Sequence, residues 1–330
     1  MRHVGAAAAL ALILAAGFNL PARALDCGKA TAPEDKAICA DPRAVAADDA
    51  MVKAYQALAA KMAPAERKTL LDSQREWLKT RSRACADKTG AAEGRCLEEE
   101  TEKRRKYLAG EPGAGPGSGG TLVPVMIEKP DRKGAYALDI TVVKYAPATT
   151  PAEKLFNAQV DKLLKDVPPS KDEEIEPDLT YSYMLNVAVT YASPQFISAH
   201  VESYIFSGGA HGSGTSSNIN IDAAKGRILT FNDVFAGEAE GKILAACMSQ
   251  ILEQKHDRMP DEKIEGDDLA QLRKAVEEGL GDLSKWSFAP GMASIDYDAY
   301  ALGAYAEGAY SCELHTDFLR PLVKAGFTLP

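Results

Sequence analysis

Eleven residues, Gly110-Glu-Pro-Gly-Ala-Gly-Pro-Gly-Ser-Gly-Gly120, constrain this chain more than any other stretch. Six are glycine, two are proline, and none is an apolar residue larger than alanine. Such a segment has no side chains from which to build a core, so no helix or buried strand should cross it. Its composition predicts a flexible linker over 110–120, separating a unit at 25–109 from a unit at 121–330.

The residues before the first unit read as an export signal. Arg2 and His3 form a basic start, and residues 4–17 form an apolar run too short to span a bilayer comfortably. Ala22 and Ala24 then supply an Ala-x-Ala cleavage pattern. A signal peptide over 1–24 is expected, with a mature chain beginning near Leu25 and a periplasmic or secreted location. No other apolar run reaches membrane length, so no integral membrane segment is expected after cleavage.

All six cysteines lie beyond that signal: Cys27, Cys39, Cys85, Cys96, Cys247 and Cys312. An even set in an exported chain reads as three disulfides. The four before the linker allow three pairings; the local one, Cys27–Cys39 with Cys85–Cys96, is expected. Each of these bridges would close a loop of about a dozen residues and stabilise by roughly 3 kcal/mol. Cys247 and Cys312 fall on apolar faces of a helical and a strand pattern, so they can meet in a core.

The first unit reads as all-α. Met51, Tyr55, Leu58 and Met62 make one helical stripe; Leu70, Leu71, Trp77 and Leu78 belong to a second helix, and Leu97, Thr101, Arg104 and Leu108 to a third. The second unit reads as α+β with antiparallel strands. Leu185, Val187, Val189 and Tyr191 alternate, as do Ile197, Ala199, Val201 and Ile205, and Tyr310, Cys312 and Leu314. A further strand is expected at 136–143, with helices at 151–166, 238–256 and 267–280.

Charge is uneven. The chain carries −9 overall, but residues 25–108 hold 17 Lys/Arg against 15 Asp/Glu, and residues 109–330 hold 19 against 32. Residues 109–330 thus carry −13, a balance that excludes nucleic acid as a partner and suits a basic one.

The sequence 204–218, YIFSGGAHGSGTSSN, invites three chemical readings, and each fails on spacing. No lysine follows the glycines as a phosphate loop requires, and no helix opens as a dinucleotide fingerprint requires. Gly212-Ser-Gly214 is too short for a hydrolase elbow. Thr215 to Asp222 alternate as a strand, so the loop joins two strands. Gly208 and Gly209 then supply turn conformations, and His211 is a polar turn residue or a binding contact. His200 and Glu202 share a strand face and could form a metal-assisted site with His211 or Asp222, although no spacing demands it. His256 and His315 have no evident partner. Tyr297, Tyr300, Tyr305 and Tyr310 lie among Gly and Asp, a composition that suits a recognition surface.

Residues 25–108 resemble the LprI-type lysozyme-inhibitor domain. The matching pieces are Asp26-Cys27, Glu34-Asp-Lys-Ala-Ile-Cys-Ala-Asp-Pro42, Gln74-Arg-Glu-Trp77-Leu78, Arg83-Ala-Cys85 and Arg95-Cys-Leu97. Residues 121–330 resemble the extracytoplasmic domain shared by the lysozyme-sensing anti-sigma factor RsiV and a peptidoglycan deacetylase. There the pieces are Gly208-Gly-Ala-His211, Gly226-Arg-Ile-Leu-Thr-Phe-Asn-Asp-Val-Phe235, and residues 297–308. The resemblances imply a non-enzymatic binder of lysozyme-like muramidases in the cell envelope, without cofactor or metal, and in reach of peptidoglycan. A peptidoglycan-acting enzyme using His200, Glu202 and His211, or a structural envelope protein, are the alternative readings.

Overall fold

The computed structural model describes residues 25–169, 174–261 and 263–330; the expected signal segment over 1–24 lies outside the described residues. Four helices build the first unit: α1 Pro33–Ala40, α2 Pro42–Lys61, α3 Pro64–Ala84 and α4 Ala91–Ala109. The first three open on proline, whose missing N–H costs nothing in a first turn. Asp41 caps α2 by accepting from the Arg43 amide at 2.9 Å. Gly110, at φ 73°, closes α4 in the left-handed conformation. The buried positions of α4 include Leu97, Thr101, Arg104 and Leu108, the stripe read from sequence.

The core of this unit is thin. One cluster holds Ile38, Ala44, Cys85 and Leu97, and another holds Met51, Val52, Leu70 and Leu108. Cys27–Cys39 and Cys85–Cys96 bridge it in the expected local pairing, and Cys247–Cys312 is the third bridge.

The second unit is a six-stranded sheet in the order β1 Leu122–Lys129, β2 Tyr136–Tyr145, β3 Tyr181–Ala192, β4 Phe196–Phe206, β5 Ser213–Asp222, β6 Arg227–Ile228. Four neighbouring pairs are antiparallel, as the alternation implied. The β2–β3 pair is parallel, because α5 (Pro151–Lys165) carries the chain across between them. β1 is absent from the sequence reading. Its Pro124 argues against a central strand, and an edge position resolves the conflict.

Beyond the sheet come α6 Phe231–Val234, α7 Ala239–Arg258 and α8 Gly266–Gly281. A three-stranded sheet follows, formed by β7 Trp286–Ala289, β8 Met292–Tyr297 and β9 Tyr310–His315. Trp286, Phe235, Ile243, Cys247 and Cys312 are fully buried in the core between these helices and β7–β9. Phe156, Val160, Ile140 and Leu185 mark the separate core between α5 and the larger sheet. No helix of the described residues is long and apolar enough to cross a membrane.

The segment 110–120 is not the free linker its composition predicts. β2 leaves β3 after the Thr141–Asn186 pair, which exposes the rest of that β3 edge. The glycine segment fills it: Gly113 N donates to Val189 O at 2.8 Å, Ala192 N to Ala114 O at 3.1 Å, and Gly117 N to Ala192 O at 2.9 Å. The glycines serve close approach. A Cβ on Gly115, where φ is 85°, would lie 2.2 Å from Ala192 O. Gly115→Ala should therefore cost about 2 kcal/mol and open the segment to proteases. Limited proteolysis checks this: wild type should resist cutting within 110–120, and rapid cleavage there would refute the docked strand.

Candidate binding surface

The β4–β5 hairpin turns through Gly208 and Gly209 at φ 90° and 96°, conformations that glycine adopts without strain. Gly212 is constrained for a different reason, because a Cβ there would lie 2.7 Å from the Ile205 carbonyl oxygen. These constraints leave His211 exposed at the turn, its Nδ1 2.9 Å from Gly212 O. The His211 ring stacks on Tyr305 with centroids 4.0 Å apart and planes within 13°. Tyr305 in turn lies 5.2 Å from Tyr300. Three aromatic rings from two distant segments thus form one ladder. Tyr300 is 63% exposed and Tyr305 38%. Tyr300 has φ 73°, a strained conformation for a residue with a side chain.

The segment carrying the tyrosines is anchored at both ends. Asp298 accepts from Ser216 N at 2.8 Å, Ser216 Oγ at 2.7 Å and Lys285 Nζ at 3.2 Å, which ties it to β5. At the other end Glu307 accepts from Lys255 Nζ and Tyr310 Oη, each at 2.6 Å, and from Ala304 N at 2.5 Å. Arg258 of α7 donates to the carbonyls of Glu307 and Ala309 and lies 4.1 Å from the Tyr310 ring centroid. Burial alone would push the Glu307 carboxyl up; these donors outweigh it and hold the group at about 2. A cavity of about 590 Å³ opens beside Tyr300, lined by Lys255, Asp268, Gln271, Leu272 and Glu307.

Tyr297 requires a correction. It is 3% exposed, and its hydroxyl donates to Val276 O at 2.8 Å, so it is a core residue of β8 and not part of a recognition surface. The alternating strand sends it inward, whereas Tyr300 sits beyond the strand end. His200, Glu202 and His211 do not converge. The His200 Nδ1 lies 3.1 Å from Asn218 Oδ1, Glu202 is exposed, and His211 is engaged with Tyr305. Asp222 pairs with Lys225 at 2.9 Å. Among the described residues no group of three His, Cys, Asp or Glu could hold a metal ion. Glu307, Lys255, Arg258 and Asp298 escaped sequence reading, since ordinary surface charges leave no periodic mark.

In the helical unit, Gln74 and Trp77 hold a buried arginine pair. Gln74 Oε1 accepts from Arg104 Nε at 2.9 Å, and the guanidinium groups of Arg81 and Arg104 lie 5.0 and 5.8 Å from the Trp77 ring centroid. The motif thus organises the interior of the helix bundle.

Residues 27–108 match the family model of the lysozyme inhibitor LprI. Residues 128–214 match the model of the deacetylase PdaC, a span that ends at the start of β5 and leaves out the tyrosine segment. No curated protein matches significantly. Among the solved structures similar to this chain are two of DUF3298 family proteins. One, from Bacteroides fragilis, is 14% identical, covers 63% of this chain and 95% of its own, and has a TM-score of 0.42. The other, from Pseudomonas aeruginosa PAO1, is 16% identical, covers 66% and 100%, and has a TM-score of 0.42.

Proposed function

We propose that this is an exported binding protein that engages lysozyme-type muramidases through the His211–Tyr305–Tyr300 ladder, without a reaction centre of its own. The observation that carries the proposal is the ladder itself: two exposed tyrosines are held rigid by Asp298 and Glu307, in a chain whose helical unit matches an inhibitor family. Rigid aromatic side chains lose little entropy on docking and dominate binding energies when a partner covers them. The acidic charge of residues 109–330 would draw a basic muramidase and raise the association rate, an effect that salt screens over about 10 Å at 0.1 M. Reach of peptidoglycan belongs to the same envelope setting.

The test is binding and inhibition of a panel of basic muramidases by the full chain. The double variant Tyr300→Ala/Tyr305→Ala should weaken binding by about 30-fold or more, chiefly through faster dissociation. Raising salt should instead slow association. Absence of binding at micromolar concentration, or a double variant that binds like wild type, would sink the proposal.

A further inference from the structure

The carboxylate of Asp48 is buried inside the helical unit with too little positive charge around it. The residue is 8% exposed. Among the described residues its nearest cation, Arg81, stands 3.9 Å away, and that guanidinium is already engaged. Arg81 Nε and Nη2 donate to Glu34 at 2.9 and 2.6 Å, and Nη1 donates to Thr101 at 3.0 Å. Asp35 on α1 and Asp49 on α2 add further negative charge. Burial, the largest effect, pushes the Asp48 carboxyl up. Among the described residues one short donor reaches it: the backbone nitrogen of Leu25, 3.2 Å from Oδ2. The Leu25 side chain packs beside Ile38, Ala44, Cys85 and Leu97, and the Cys27–Cys39 bridge fixes the chain two residues on. A cavity of about 230 Å³ lined by Leu25, Asp35, Asp48 and Arg81 adjoins this contact.

We propose that the bond between Ala24 and Leu25 is the processing junction, and that the ammonium released on Leu25 is the resident counter-ion of Asp48. The proposal rests on reading 1–24 as a signal peptide. In the precursor, Leu25 presents a neutral amide. Hydrolysis by an export peptidase places the hydroxyl of water on the Ala24 carbonyl and its hydrogen on the Leu25 nitrogen. The freed amine then takes up a proton, and the same 3.2 Å contact becomes a charge-assisted pair. Export thereby completes the first unit, which is fully stable only once its leader is gone.

The test compares full-length mature chains with three starts: Leu25, Leu25 with an acetylated amine, and Ala22, which adds Ala-Arg-Ala. Each is made with Asp48 and with Asp48→Asn. Hydrogen exchange of the α1 and α2 amides should be about tenfold slower for the free Leu25 start than for the other two. In Asp48→Asn, whatever its own stability, the three starts should exchange alike. A paired ammonium has a raised pKa, so with Asp48 ionised the advantage is full below the ordinary α-amino value of about 7.7–8.0 and fades as pH rises beyond it, and it is lost in acid as the Asp48 carboxyl, pushed up by burial, takes a proton. Equal protection of all three starts with Asp48 present, or a difference that survives Asp48→Asn, overturns the counter-ion. Intact mass of the exported protein separates the two claims: a chain beginning elsewhere overturns the signal reading and the junction, whereas a Leu25 start without terminus-dependent protection overturns the ion pair alone.

Discussion

Glu307→Ala is expected to destabilise the protein by about 3–5 kcal/mol, because it leaves the buried Lys255 ammonium without its partner. The side chains of this pair are 9% and 8% exposed, and the 2.6 Å contact is reinforced by Tyr310 and by the Ala304 amide. Glu307→Gln keeps the shape and removes the charge, so it separates the loss of packing from the loss of the counter-ion. The same carboxylate fixes the turn that presents Tyr305, so both variants should also weaken any binding that uses the tyrosine ladder. The pH dependence has a definite sign. Glu307 sits at about 2 in the fold against an ordinary 4.5. Its stabilisation is complete above about 4.5 and is lost as pH falls toward 2. Urea unfolding across that range should show the gap between wild type and Glu307→Gln closing with acid. A gap that stays constant would show that Lys255 is satisfied some other way.

Removing the Cys247–Cys312 bridge with paired alanine substitutions should cost on the order of 4 kcal/mol, since it closes a 65-residue separation. Both cysteines are fully buried, one on α7 and one on β9. The bridge joins the two faces of the core that carries the tyrosine segment. A fall in Tm of roughly 8–16 °C follows for a unit of this size. Scanning calorimetry of the variant is the check. A shift below about 3 °C would mean that the core around Trp286 holds these elements without the covalent tie.

Much of this architecture was legible in the sequence where a periodic signal existed. The stripe of α4 and the alternation of β3, β4 and β9 gave the fold class, and local spacing gave the cysteine pairing. Where pattern and context disagree, reading failed. Pro124 hid an edge strand, and the short β7 and β8 offer too few residues for alternation to register. The parallel β2–β3 pair could not be read from either strand alone, because it is a property of the α5 crossover. In the candidate site, His211, Tyr300 and Tyr305 stood out by residue type, and Tyr297 was grouped with them only because it is adjacent in sequence. Its inward orientation is set by strand phase. Asp298 and Glu307, which anchor the ladder, lie in one β8–β9 connection, but their partners Ser216, Lys285 and Lys255 come from other elements, so the two anchors show only in three dimensions.

The glycine segment docked along β3 changes how two weak contacts could combine. A floppy tether would let each unit search for a partner independently, with a shared local concentration set by tether length. If both units touched one partner, a chain pinned at Val189 and Ala192 would act as a calliper with a set jaw width. It would reward a target whose two contact points match that opening and gain nothing from one whose points do not. Discrimination between similar targets could then reside in a spacing, written into the backbone by the glycines that allow it to lie so close.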